Sequence, residues 1–158
     1  MLKLSILEFL FRVIPESFTL IFAGYAFSSK VIDKKSFCIS SIVLSVITYL
    51  VRMLPIHFGV HTIILLIIYM LTTVTINKID IIKSLSAGLI SAILMYTCEW
   101  VNAFIITDIF KKNLDTIMKN HLMKLLYFSP SLLLFAIIII FIYTKNVYLR
   151  KVPKNVSN

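Results

Sequence analysis

Charge is the scarcest commodity in this chain. Charged side chains make up 15% of the residues, against about 25% in an ordinary soluble domain, and long stretches carry almost none. That shortage excludes a soluble fold, in which apolar blocks alternate with polar faces because there is one core to fill. Glycine is scarce as well, with three residues in the whole chain. No apolar stretch is interrupted by paired Gly or Pro in corresponding halves, which counts against the broken spans of a small membrane transport subunit. The two cysteines, Cys38 and Cys98, have no ligand-like spacing to His or to each other, so neither a metal site nor a cofactor is expected. No motif for bond-making chemistry occurs, and the expectation is a protein that is not an enzyme.

What the chain has instead is five apolar stretches, at residues 4–27, 37–54, 57–77, 84–106 and 125–143. A helix needs roughly 20 predominantly apolar residues to cross a ~30 Å hydrocarbon core. The expected fold is therefore all-α, a polytopic transmembrane helix bundle of about five spans in a single domain, residues 1–143. The start resembles a signal peptide, with Lys3, an apolar stretch and small residues from Gly24 to Ala26. Glu8, Arg12 and Glu16 lie inside what would be its hydrophobic region, which reads as a retained first helix. Pro55 disfavours helix at Leu54 and so ends the second span. Cys38 and Cys98 then fall toward opposite membrane faces, too far apart for the ~7 Å Cα separation that a disulfide tolerates.

Residues 108–124 differ in kind. Ile109, Phe110, Leu114, Ile117, Met118 and Leu122 recur at helical spacing, with Lys111, Lys112, Asp115, Lys119 and Lys124 between them. This is an amphipathic helix, expected either to lie in the membrane interface or to cap the bundle. Residues 144–158 form a basic tail.

The net charge of +9 does not indicate nucleic acid as a partner, because the basic residues sit mainly in the breaks, where they hold helix ends in the headgroup region of the lipid bilayer. Five spans put the termini on opposite sides. With the N-terminus outside, nine Lys and Arg lie on the inner face and seven on the outer, or three without the amphipathic helix. The positive-inside rule thus favours a plasma-membrane protein with an external N-terminus and a cytoplasmic tail.

Ionisable groups inside spans cost roughly 2.5 to 3.5 kcal/mol each on insertion scales and usually face a bundle interior or a water-filled cavity. Arg12 and Glu16 are four residues apart and share a helix face, so they are able to pair. Pro15 kinks that helix unless the helix starts there. Arg52 closes the second span, His57 and His61 stand one turn apart at the start of the third, and Glu99 lies beside Trp100 in the fourth. Span parity brings Arg12, Glu16, Arg52, His57, His61, Glu99 and Trp100 to one membrane face, with Pro130. Polar groups gathered at one end of an apolar bundle suit a ligand-accepting vestibule. The plainer alternatives are an Arg52 that reaches the headgroups, a Glu16 that caps a helix beginning at Pro15, and an Arg–Glu pair that holds helices together.

The strings Ile14-Pro15-Glu16, Tyr49-Leu-Val-Arg52-Met-Leu-Pro55-Ile-His-Phe58-Gly59-Val-His61-Thr62, Cys98-Glu99 and Ser129-Pro130-Ser131-Leu132 resemble a known pattern. It is that of the membrane-sensing region preceding the kinase in certain Firmicute sensor histidine kinases of the GHKL, accessory-gene-regulator-like kind. The resemblance covers nearly the whole chain. It implies that Pro15, Glu16, Arg52, Pro55, Gly59, His61 and Glu99 belong to the family pattern. It also implies a multi-pass fold, an extracellular peptide or small ligand as signal, and a homodimer or a partner kinase. The fifteen residues after Tyr143 hold no phosphoacceptor helix and no Gly-rich ATP-binding segment. The expectation is therefore a non-catalytic signal-sensing or signalling-accessory protein, stand-alone or serving a full-length kinase. Arg52, Gly59 and His61 are also similar to a stretch of the accessory-gene-regulator peptidases, which pair a Cys with a His. That reading requires Cys98 to meet His61.

Overall fold

The computed structural model describes residues 8–54, 58–109 and 121–151. These form five helices. Helix α1 runs from Phe9 to Ser28, α2 from Lys34 to Met53, α3 from Phe58 to Thr75, α4 from Ile81 to Ile109 and α5 from His121 to Lys151. The molecule is all-α, and α1, α2, α4 and α5 are long and apolar enough to cross a membrane. Helix α3 is apolar but shorter, at 18 residues. It rises about 27 Å at 1.5 Å per residue, slightly less than a hydrocarbon core. His57 and most of the expected amphipathic helix, residues 110–120, lie outside the described residues.

Each break has a local cause. Ser29 adopts the left-handed conformation (φ 51°) after α1, and the Lys30 N–H closes back on the Tyr25 carbonyl at 3.1 Å, a C-terminal motif usually built on Gly. Ser28 Oγ donates to the Gly24 carbonyl at 2.6 Å, so the buried hydroxyl is satisfied within its own helix. Helix α2 ends in extended backbone at Leu54 (ψ 140°), the conformation that a following Pro enforces. Lys78 takes the second left-handed position (φ 50°) in the short turn between α3 and α4.

The two prolines inside helices are accommodated rather than acting as stops. Helix α1 begins with one π-helical turn, Phe9–Val13, and becomes α-helical at Ile14, so Pro15 sits where its missing N–H leaves little undone. In α5, Pro130 deprives the Leu126 carbonyl of its i+4 donor, and Ser129 Oγ supplies one at 2.9 Å. Helix α5 extends past the expected span on both sides. Thr144 to Lys151 of the expected tail are helical, because no Gly or Pro interrupts the sequence before Pro153.

Helix α1, the least purely apolar of the long helices, is the most enclosed. It packs on α2, α4 and α5 and only lightly on α3, and Val13, Ile21, Ala23, Tyr25 and Ala26 are buried. The contact faces are built from small residues. Ser40, Ser41, Leu44, Ser45 and Thr48 line the inner side of α2, and Ser84, Ala87, Gly88 and Ser91 that of α4. Ser40, Ser41 and Ser45 donate to carbonyls of their own helix, so they cost little to bury and let backbones approach closely. The large apolar residues face outward: Ile39, Ile42, Val46 and Leu50 on α2, Leu85, Leu89 and Ile93 on α4, Leu133, Ile137 and Phe141 on α5. Apolar outside and small inside is the arrangement of a chain whose solvent is lipid, and the molecule is a membrane protein.

Candidate functional site

The acidic and basic residues of the spans meet at one end of the bundle. Arg52 Nη2, from the last turn of α2, donates to Glu16 Oε1 in α1 at 2.6 Å. Arg12 Nη2, from the π-helical turn of α1, donates to Glu99 Oε1 in α4 at 3.0 Å. Arg12 and Glu16, four residues apart in sequence, thus each form an ion pair across the bundle, one to α4 and one to α2. The reason is geometric: α1 is central, and its charged face is flanked by a helix on either side.

Burial is uneven. The Glu16 side chain is 8% exposed, whereas those of Arg12, Arg52 and Glu99 are between a quarter and a third exposed. Neutralising a carboxylate with a guanidinium offsets the desolvation of both. Removal of one partner leaves the other charged in poor solvent, at about 1–3 kcal/mol once the partial exposure is discounted.

Two cavities adjoin these pairs. The larger, about 90 Å³, lies between α1, α2, α3 and α4 and is lined by Glu16, Ser17, Thr48, Arg52, Thr62, Tyr69, Tyr96 and a set of apolar residues including Leu44, Leu65 and Met95. It exists because α3 packs on α2 and α4 while barely meeting α1. The smaller, about 10 Å³, is lined by Arg12, Glu16, Met95, Glu99, Ser131 and Leu132, room for about one water. Glu16 and Met95 border both. The Thr62 and Tyr96 hydroxyls share a hydrogen bond of 2.9 Å at an exposed position, joining α3 to α4 beside the larger cavity.

The remaining expected site residues divide. His61 lies in the first turn of α3, partly buried, and borders neither of these cavities. His57 lies outside the described residues. Trp100 is 78% exposed on the outer face of α4, the position of an interfacial aromatic rather than of a cavity wall. Cys98 is buried in the packed cluster of Ala23, Ala26, Phe135 and Ile139 and lines neither cavity. No group of three His, Cys, Asp or Glu among the described residues is placed to hold a metal.

Sequence reasoning missed Ser17, Thr48, Thr62, Tyr69 and Tyr96. One signal was available: Thr48 and Arg52 are one helical turn apart, as are Arg12 and Glu16, so a hydroxyl accompanies the cation on its own helix face. At the opposite end of the bundle, the basic residue of the first break does more than reach the headgroups. Lys30 Nζ donates to the Asn77 and Lys78 carbonyls at 2.6 and 2.7 Å, and Tyr25 Oη donates to Asn77 Oδ1 at 3.1 Å. This lysine caps the turn between α3 and α4. Asn146 Nδ2 reaches from α5 to the Ala26 carbonyl at 2.9 Å.

Comparison with protein-family models, with curated proteins and with solved structures finds no match to this chain.

Proposed function

We propose that this chain is a non-catalytic, signal-sensing or signalling-accessory membrane protein, in which the crossed ion pairs and the adjoining cavity form the receiving end. The observation that carries the reading is that Arg52–Glu16 and Arg12–Glu99 tie three helices together around a cavity large enough for a small molecule. An occupant that binds one arrangement of these helices better than another shifts the helices that the ion pairs tie together. Helix α5 touches α1 and α4 and, at 31 residues, rises about 46 Å, more than a hydrocarbon core. It is the natural carrier of a change to the far side. The burial of Cys98 in the core supports a reading without thiol catalysis. The resemblance to the sensing region of histidine kinases points to the same class, with a kinase or a second copy of the chain as partner.

In the plasma membrane, the orientation proposed is N-terminus outside. Maleimide labelling of single cysteines at Ser29 and Lys78 is expected from the cytoplasmic side only, with labelling at Leu54 from outside only.

The functional test compares deletion of the chain with Glu99→Gln and Arg52→Met in the cell that encodes it. Both variants are expected to insert at normal levels while reproducing the transcript changes caused by deletion. Variants that insert and leave every transcript as in the wild type would overturn the sensing role.

A further inference from the structure

Five hydroxyl residues line the larger cavity, of which Thr62 and Tyr96 bond each other and the other three stand on three different helices. Ser17 on α1 is 1% exposed, Thr48 on α2 is 6% and Tyr69 on α3 is 5%. The Tyr69 hydroxyl is closed off against Gly24, so only its ring borders the cavity, whereas Ser17 and Thr48 have no hydrogen-bond partner among the described residues. Ser40, Ser41, Ser45 and Thr72 are buried too but are satisfied within their own helices, whereas the Ser91 hydroxyl is buried without a partner away from this cavity. Buried polar groups without partners are uncommon, and each calls for a specific reason. Two beside one cavity, next to a guanidinium with N–H groups to spare, share a reason if something that hydrogen-bonds occupies it.

The electrostatics select the kind of occupant. The charge of Arg52 is balanced by Glu16 and that of Arg12 by Glu99. An ion entering the cavity therefore brings a charge with no counterpart, at a desolvation cost of several kcal/mol. Hydroxyls, by contrast, both donate and accept to neutral groups. Arg52 donates to Glu16 alone among the described residues, which leaves guanidinium N–H groups for a neutral oxygen. The remaining lining, including Leu20, Leu44, Leu65, Leu66 and Met95, is apolar and suits a hydrocarbon body.

Size sets the last limit. A cavity of about 90 Å³ is smaller than one of ~150 Å³ that accommodates benzene, so the occupant has roughly four to six non-hydrogen atoms. We propose that the cavity between α1, α2, α3 and α4 binds a small neutral amphiphile of the alcohol type, its hydroxyl held by Ser17, Thr48 and the free N–H groups of Arg52 and its short carbon chain against the leucines. This deepens the sensing role and rests on it for significance, not for its geometry.

The test uses the full chain in lipid nanodiscs, with trifluoroethanol followed by fluorine NMR as the probe. Saturable binding is expected, displaced by butanol and not by butanoate or butylammonium. Thr48→Val, which keeps the side-chain shape and removes the hydroxyl, is expected to weaken binding about fivefold, the worth of one net hydrogen bond. Ala92→Phe fills the cavity and is expected to abolish saturation. Linear uptake that is the same in the wild type and in Ala92→Phe overturns the proposal, since it means partition into lipid and a cavity that holds water only. Equal displacement by butanoate overturns it too, because the site then does not discriminate against charge. Saturable binding with unaltered transcripts in the charge variants would instead defeat the sensing role and leave the site standing.

Discussion

Tyr69 is wedged between two glycines. A Cβ at Gly24 would stand 2.6 Å from its hydroxyl, and one at Gly88 would stand 3.0 Å from its ring carbons, so the ring has little room to withdraw. Gly24→Ala is expected to destabilise the bundle by about 1–3 kcal/mol, the usual cost of overpacking, measured by denaturant unfolding in lipid nanodiscs. Tyr69→Phe removes the oxygen that a methyl at position 24 would strike and is expected to restore most of that loss in the double variant. By itself Tyr69→Phe is expected to leave stability equal or higher, because it removes a buried hydroxyl without a partner. Losses that simply add in the double variant would show that the two groups do not meet. None of this was legible in the sequence. The scarcity of glycine was plain, but positions 24, 69 and 88 are brought together by three helices whose crossing no local pattern encodes.

At the scale of elements, helix α2 shows a start signal that the sequence carries openly. Asp33 precedes the helix, its Oδ2 accepts from Ser36 Oγ at 2.6 Å, and its carbonyl accepts from the Phe37 N–H at 2.8 Å. The Ser36 hydroxyl, followed by backbone N–H groups and nearby Lys35, holds the Asp33 carboxyl below the usual carboxylate range. A carboxyl so lowered stabilises the fold above its unfolded value, and the contribution fades as pH falls through the lowered folded value. Lower amide protection, relative to the intrinsic exchange rate, at Lys35 to Phe37 in acid, and at neutral pH in Asp33→Ala, is the expected outcome; protection indifferent to both would contradict the cap. The other boundaries were legible for similar reasons. Pro55 ends α2, and the run of polar and basic residues from Ser28 to Ser36 separates α1 from α2. Less legible was the reach of α5. Hydropathy marks where a helix stops being apolar, not where it stops being a helix, and Thr144 to Lys151 contain nothing that breaks one. The π-helical turn before Pro15 was hidden for a related reason, since sequence shows a missing donor but not the register shift that absorbs it.

For the molecule as a whole, the organising fact is that its most central helix carries two of the four charges that pair inside the bundle. Sequence parity was enough to send Arg12, Glu16, Arg52 and Glu99 to the same end, because alternating spans must return to the same face. It was not enough to say who pairs with whom. Helical spacing favoured Arg12 with Glu16, whereas the fold surrounds α1 and offers each of them a partner on a different neighbour. Trp100 and His61 illustrate the limit of the same reasoning: arrival at the right depth does not decide which way a side chain faces around its helix, and Trp100 faces out. The ion pairs also explain why charges are tolerated in spans at all, since each is matched before lipid is met.

The most direct measurement of this account is a charge exchange across α1 and α2. Arg52→Glu and Glu16→Arg are each expected to lower the unfolding midpoint of the nanodisc-embedded protein, because like charges then face each other at the distance of a hydrogen bond. Their combination restores opposite charges and is expected to recover at least half of the summed loss. A double variant as unstable as the two losses added together would contradict the claim that these residues meet inside the bundle.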